Sequence, residues 1–324
     1  MAGLRRNKSG LSGEGWAGGR DLRDFDHLVF DVDGTLVTGK KKISPALRAC
    51  LRDLQAQGRK VYLCTGRTVD GVLAYARDLE MEKYGGVLIG MNGSLVQRMD
   101  GKVLLDPEVL DRERLWPLLA AFDGLDLLTL AFYRNDMACA VNRAGLELFE
   151  LAASKFPRFN RLPMNICRSY KDFREEAPLK VLFMGRPEAL SKARAEILAP
   201  YREDYALVDS ADFFLELMPK GTNKGRGLAR LFEKEKTDPQ RVMAFGDQNN
   251  DLEMIEMAGL GLAMGNASER LKDAADLVIG TNEEDGICRF LIEAGLWDPR
   301  PELRALLLPP ALEKCLDEFP AGLF

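Results

Sequence analysis

Histidine is almost missing from this chain. His27 is the only one in 324 residues, and it sits just ahead of an apolar run, where it reads as structural. No histidine is then left for a phosphohistidine intermediate or a Ser-His-Asp triad. Cysteine is sparse as well. Cys50, Cys64, Cys139, Cys167, Cys288 and Cys315 are scattered, with no C-x-x-C pair. That spacing argues against a zinc site or a disulfide framework and fits free thiols in a reducing cytoplasm. No apolar run reaches the roughly 18–20 residues needed to cross a bilayer, so no membrane partner is expected. Strong charge of either sign is also lacking. Forty-five basic and 50 acidic residues leave a net charge of -5, which gives no electrostatic footprint for nucleic acid. The first 20 residues carry Arg5, Arg6, Lys8 and Arg20 but no apolar stretch. They do not read as a signal peptide, and residues 1–24 are expected to be a disordered tail.

What is present is an ordinary globular composition, 46% hydrophobic and 29% charged. Leu28–Phe30 is a buried-strand signal that ends at two carboxylates. Ser44-Pro45 supplies an N-cap and an N1 proline for a helix through about Gln57, with Gly58 as its stop. Lys60–Cys64 reads as a strand, Thr68–Met81 as a helix and Gly86–Ile89 as a strand. The alternation resumes late. Arg241–Phe245, Leu260–Met264 and Leu277–Ile279 are strands, with helices over Asn249–Met257, over Ser268–Ala274 and from Asp285. Strand-helix alternation implies the α/β class, with a parallel sheet covered by helices. The two blocks, 25–94 and 216–296, are read as halves of one sheet.

Residues 95–215 have their own elements, enough for an inserted α+β domain. Asp100-Gly101 marks a hairpin. Leu110–Phe122, Leu146–Lys155 and Pro187–Leu198 read as helices. Leu127–Tyr133, Met137–Val141, Leu179–Met184, Ala206–Asp209 and Phe213–Met218 read as strands. Residues 297–324 form a Pro-rich C-terminal extension with an amphipathic piece, Pro310–Leu316.

Ligands of open α/β sheets bind at the carboxyl ends of the strands, and four polar clusters fall just after strands. Asp31 and Asp33 could hold a hard divalent cation through oxygen or divide nucleophile and acid-base work between them. Gly34 permits a tight turn, and the Thr35 hydroxyl is placed to orient Asp33. In Thr65-Gly66-Arg67, a hydroxyl and a backbone N–H that can be closely approached suit a phosphate oxygen. In the segment Pro219 to Gly225, Lys224 could neutralise both a phosphate and Asp31, with Lys220 as its competitor. In Gly246-Asp247-Gln248-Asn249-Asn250-Asp251, Asp247 would complete a cation site, with Asp251 either ligating the ion directly or supporting its ligands, and Asn250 could bond to substrate phosphate or to the neighbouring carboxylates. Asn92-Gly93-Ser94 and Asn266-Ala267-Ser268 match glycosylation sequons by chance.

These four clusters together resemble the motifs of the haloacid dehalogenase-like superfamily of phosphatases, over about residues 26–296. The resemblance implies a Rossmann-like core with a cap domain. Only about ten residues separate Asp33 from Ser44, so the cap is the 95–215 insertion. That placement is similar to class IIB, or Cof-type, members. Met91-Asn92-Gly93-Ser94, Ala263 to Ala267 and Asn282 to Gly286 also look like Cof-type segments. The resemblance implies Mg2+ as cofactor, with Asp31, Asp33, Asp247 and Asp251 as metal residues. It implies catalytic roles for Asp31 and Asp33, and phosphate binding by Thr65, Gly66, Lys224 and Asn250. The substrate would be a small phosphorylated metabolite such as a sugar phosphate, hydrolysed through an aspartyl-phosphate in the cytoplasm. A phosphosugar mutase and a non-catalytic phospholigand-binding protein are the alternatives. Monomer and homodimer are both open.

Overall fold

The computed structural model describes residues 21–122, 125, 127–134, 136–141, 150, 163–211 and 213–307. Residues 1–20 of the tail expected over 1–24, nearly all of the helix over 146–155, Asn135, Cys315 and the amphipathic piece at 310–316 lie outside the described residues; the end of that tail is folded, with Leu22–Asp24 in a 3-10 turn and Leu22 buried.

In chain order the strands are β1 (His27–Phe30), β2 (Lys60–Cys64), β3 (Val87–Gly90), β4 (Leu95–Arg98), β5 (Leu127–Phe132), β6 (Met137–Ala140) and β7 (Met164–Cys167). They continue with β8 (Lys180–Gly185), β9 (Tyr205–Ala211), β10 (Phe214–Pro219), β11 (Val242–Gly246), β12 (Leu260–Ala263) and β13 (Leu277–Val278). The described α-helices are α1 (Pro45–Ala56), α2 (Leu73–Asp78), α3 (Arg112–Phe122), α4 (Pro187–Ala193), α5 (Lys224–Glu235), α6 (Leu252–Met257), α7 (Glu269–Ala274), α8 (Gly286–Glu293) and α9 (Pro301–Leu306). The chain divides into two compact units. One holds Met1–Leu63, Tyr75–Val87 and Glu235–Phe324, and the other holds Cys64–Ala74 and Leu88–Lys234.

The first unit is built on parallel strands in the order β13-β12-β11-β1-β2. Its central strand β1 pairs with both β11 and β2, so that His27 lies beside Val242 and Lys60. Leu28, Val29 and Phe30 are fully buried, as expected of a parallel strand covered on both faces. Phe30 stacks on Phe245 with centroids 4.7 Å apart, which ties β1 to β11 at the end where both strands give way to acids. Helix α1 begins as its sequence directs. Ser44 Oγ accepts the Leu47 N–H at 3.0 Å, and Pro45 takes the first turn. It buries Leu47, Cys50, Leu51 and Leu54, each leucine contributing about 1.5–3 kcal/mol. Gly58, at φ +98, carries the chain out of the helix. The indole N–H of Trp297 donates to Asp53 on α1 at 3.0 Å, so the start of the C-terminal extension is pinned to this unit.

The second unit contains a six-stranded sheet in the order β7-β6-β5-β8-β10-β9. Its described pairings are antiparallel except for β6 with β7. Phe122 of α3 stacks on Phe183 of β8 at 4.0 Å, inside a core that also holds Leu115, Leu118, Leu190 and Leu198. The Asp100-Gly101 hairpin forms as expected. Gly101 takes φ +81, Arg98 and Lys102 are bonded across the turn, and Gln97 pairs with Val103.

Two expectations are corrected. The helix expected over Thr68–Met81 is only Leu73–Asp78. Ahead of it, Thr68 and Val69 close tight turns onto Gly71 and Val72, and the Thr68 hydroxyl accepts from the Gly71 N–H. That side-chain bond competes with helix formation. Strand β7 has no counterpart among the strands expected from the sequence. Two of its four side chains, those of Asn165 and Ile166, are exposed, so it has no buried alternate face to leave a period-two signal.

Candidate active site

The carboxyl ends of β1 and β11 lie side by side, and the Asp31 N–H donates to Phe245 O at 3.0 Å. This pairing gathers three acids. Asp31, Asp247 and Asp251 each offer a carboxylate oxygen within 4.8 Å of the others. They are 5%, 3% and 0% exposed. Two like charges at 4.8 Å repel by about 3 kcal/mol at an effective dielectric of about 20. A trio this buried therefore calls for a compensating cation.

Neighbouring groups fix the trio. Thr35 Oγ1 donates to Asp247 Oδ1 at 2.9 Å, and Gln248 Nε2 donates to Asp247 Oδ2 at 3.1 Å. Asp251 Oδ2 accepts the backbone N–H groups of Asp247 at 2.9 Å and Gln248 at 3.0 Å. This capping arrangement aims the start of the 246–251 loop. Gly34 is required twice over. It has φ +84, and a Cβ there would lie 2.3 Å from Asp247 Oδ2. Gly246 admits Asp251 in the same way, because a Cβ would meet Asp251 Cβ at 2.6 Å.

Thr35 thus serves Asp247 rather than Asp33, which corrects the expectation from the sequence. Asp33 stands outside the trio. It is half-exposed, and its Oδ1 lies 2.7 Å from Lys41 Nζ. Lys41 is a residue that sequence reasoning missed; its only signal is the Lys40-Lys41-Lys42 run shortly after the acids. Asn250 is half-buried in the short 3-10 turn Asn249–Asp251 that carries Asp251. His27 shares a 2.8 Å hydrogen bond between Nδ1 and the Tyr62 hydroxyl. Burial holds its imidazole pKa below the ordinary range, against the raising effect of Asp26.

Thr65, Gly66 and Lys224 belong to the second unit. Thr65 is buried, and its Oγ1 accepts the Arg67 N–H at 3.1 Å. Its backbone is bonded to Ile89 and Asn92. Gly66 passes so close to Asn92 that a Cβ would sit 3.2 Å from Asn92 Oδ1. Met91 and Asn92 both adopt left-handed φ, 49° and 53°, an uncommon arrangement for side-chain-bearing residues. Gly93 and Gly227 meet backbone to backbone, where a Cβ on Gly227 would lie 2.7 Å from Gly93 Cα. The 91–93 turn therefore packs between the Thr65–Arg67 loop and the first turns of α5, which begins at Lys224. Lys224 is 1% exposed. Lys220 is exposed and paired with Glu203 at 2.6 Å, so of the two competing lysines only Lys224 is buried.

Other polar residues had no role assigned from the sequence. In the second unit, Asn92 is buried, with Nδ2 at 3.5 Å from Met218 Sδ; in the sequence it stands out only as the start of a sequon. Lys180 and Glu216 form a buried pair at 3.1 Å, and Lys180 Nζ also reaches Gly66 O at 3.4 Å. A lone lysine and a lone glutamate in apolar strands are the only signal of that pair. In the first unit, Asn266 of the other sequon also has its side chain bonded.

The haloacid dehalogenase-like hydrolase family model matches residues 28–291. YxeH of Bacillus subtilis (strain 168), which carries a phosphatase name, is 30% identical over 273 residues. The match covers 82% of this chain and 97% of that protein. A haloacid dehalogenase-like hydrolase from Bacteroides thetaiotaomicron superposes with a TM-score of 0.74 at 30% identity, covering 83% of this chain and 98% of the other. A HAD subclass IIB sugar phosphatase shares the fold with a TM-score of 0.70. It is 22% identical, and the match covers 84% of this chain and 100% of that one. The chain belongs to the haloacid dehalogenase-like hydrolase family, and its class of activity is that of a phosphatase. Its α/β fold, with a parallel sheet at the core, is the one expected.

Proposed function

We propose that this protein is a Mg2+-dependent phosphomonoesterase that works through an aspartyl-phosphate on Asp31. The observation that carries the reading is the buried trio of Asp31, Asp247 and Asp251 at the ends of adjacent parallel strands. Three clustered carboxylates in a buried setting suit a hard divalent cation with oxygen ligands. Asp31, Asp247 and Asp251 are the carboxylates that would hold it. The Asp33 carboxylate lies outside this set and keeps its acid-base role. When bound, Mg2+ would neutralise phosphate charge and align the reacting groups.

In the first step an Asp31 oxygen attacks phosphorus in line. The bond from phosphorus to the ester oxygen breaks, and Asp33 gives that oxygen its proton. In the second step Asp33 takes a proton from water, whose oxygen attacks phosphorus. Inorganic phosphate leaves, and the Asp31 carboxylate is restored. Thr65, Gly66, Lys224 and Asn250 are assigned to phosphate binding. The burial of Lys224 supports its choice over Lys220. Phosphomonoesters are so inert that positioning and charge neutralisation must remove roughly 20 kcal/mol of barrier.

We assign residues 95–215 as a cap that selects a small phosphorylated metabolite. Support comes from the separate six-stranded sheet, five of whose strands lie within that span while β10 runs on to Pro219, and from the shared fold with a subclass IIB sugar phosphatase. The buried free thiols Cys50, Cys64, Cys139 and Cys288 support a reducing, cytoplasmic setting. No described helix is long and apolar enough to cross a membrane.

The test is release of inorganic phosphate from p-nitrophenyl phosphate. Activity should require Mg2+, vanish with EDTA and be lost in Asp31→Asn with the fold retained. Equal turnover in EDTA would sink the scheme, as would turnover by Asp31→Asn at the parent rate.

A further inference from the structure

We infer that Asn266 and Asn282 are positioning residues for Asp33, acting through the turn that follows the Asp pair. Their segments resemble family wording, yet nothing in the proposed chemistry uses them. The inference rests on the reading of Asp33 as the proton donor.

The geometry is a chain of hydrogen bonds. Asn266 Nδ2 donates to Gly34 O at 2.9 Å, and Asn282 Nδ2 donates to Val37 O at 2.8 Å. The two are linked, because the Asn282 N–H donates to Asn266 Oδ1 at 3.1 Å. They therefore grip the carbonyls at both ends of the Gly34–Val37 turn. That turn is bridged to Asp33 itself, which pairs with Val37. The same Asn266 segment reaches the second acidic loop. Ser268 N–H donates to Asp247 O, and Ser268 Oγ donates to Asn249 Oδ1, both at 2.9 Å.

The segment from Asn266 to Ser268 thus staples the loop carrying Asp33 to the loop carrying Asp247. Within this unit, Asp33 is held from its own side by Lys41, a flexible half-exposed side chain. A carboxyl that must meet a departing oxygen needs its backbone fixed to a fraction of an ångström. The amide pair supplies that from the turn side. Neither asparagine is buried, so their side chains are dispensable for the core. Their use is in orientation.

The test compares p-nitrophenyl phosphate with phenyl phosphate in the full-length Mg2+-loaded enzyme. Nitrophenolate departs almost without proton assistance, whereas phenolate depends on it. Asn266→Ala and Asn282→Ala should each lower kcat/KM on phenyl phosphate, which reports only the steps up to departure of the alcohol, by about 10-fold or more. On p-nitrophenyl phosphate the loss in kcat/KM should stay within about 3-fold, because the Asp33-assisted water step common to both esters does not enter that ratio. The double variant should lose less than the product of the single losses, because the two amides form one chain. Asn266→Ser and Asn282→Ser, which keep a donor at each position, should recover part of the loss. Equal losses of kcat/KM on both esters, or parent kcat/KM on both, would overturn the inference. Asp33→Asn separates this from failure of the parent reading. If Asp33→Asn shows the ester-selective loss and the asparagine variants do not, only the positioning role falls. If Asp33→Asn lacks it, the acid assignment falls and the positioning role falls with it.

Discussion

Replacing Gly34 with alanine should damage the enzyme in two separable ways. Gly34 lies at φ +84, where a residue bearing a Cβ is disfavoured by about 1–2 kcal/mol. Gly58 provides the control. It lies at φ +98, and a Cβ added there would have nothing within 4 Å, so Gly58→Ala carries the backbone cost alone. Gly34→Ala adds a collision, because its Cβ would fall 2.3 Å from Asp247 Oδ2 and 2.7 Å from Asp247 Cγ. Ordinary contact begins near 3.4 Å, so the carboxylate must retreat by about 1.1 Å (3.4 less 2.3). The retreat breaks the 2.9 Å bond from Thr35 and pulls Asp247 off Asp31 and Asp251. A misplacement of about 1 Å costs on the order of 10²-fold in rate. Both variants should lose Tm at about 2–4 °C per kcal/mol. Only Gly34→Ala should lose about 10²-fold in kcat on p-nitrophenyl phosphate, with a weaker apparent affinity in a Mg2+ titration. Gly34→Ala within 3-fold of the parent, or Gly58→Ala equally impaired, would refute the reasoning.

Other consequences follow from named contacts. Thr35→Val should leave Asp247 Oδ1 without its 2.9 Å donor and lower kcat by about 10-fold, at roughly 1.4 kcal/mol per tenfold, read in the same phosphate-release assay. Lys180→Met should strip Glu216 of its 3.1 Å partner and destabilise by about 3–5 kcal/mol, whereas the double change K180M/E216M should recover most of that; urea unfolding distinguishes the two. Burial lowers the folded pKa of His27 below its unfolded value, against the raising effect of Asp26. As pH falls below about 6.5 the unfolded chain takes up a proton that the folded chain resists. Stability contributed above that pH is therefore lost on acidification, and His27→Gln should flatten this part of a urea-midpoint profile between about pH 7.5 and 5.5.

Local chemistry makes much of the first unit legible. Ser44-Pro45 and Gly58 bracket α1 because cap and stop are decided within a few residues. Lys60–Cys64 is legible to the residue because four of its five side chains are buried between covered faces. The character of the acids is also readable, since Asp31 and the 246–251 loop each follow an apolar strand. What stays hidden depends on distant partners. Thr35 and Asp247 are 212 residues apart, and no local pattern says which carboxylate a threonine will serve. Asn266 and Asn282 bond to carbonyls of Gly34 and Val37 over 200 residues away, and a carbonyl leaves no trace in the residue alphabet. Strand β7 shows the opposite failure, a backbone pairing with β6 made without a buried side-chain face.

The position of β1 has a consequence for biosynthesis. Among the described strands it leaves the ribosome first, yet one of its two neighbours, β11, lies 215 residues downstream in the register of His27 with Val242. At about 5–20 residues per second that neighbour arrives roughly 10–40 s later. The span in between contains the whole six-stranded sheet of β5 to β10 and its apolar core. The strand carrying Asp31 must therefore remain unpaired on that side while the later-made interior can already fold. A nascent chain that stops before β11 lacks Asp247 and Asp251 altogether, so the buried trio with Asp31 assembles only after Val242–Gly246 has been made and paired with β1.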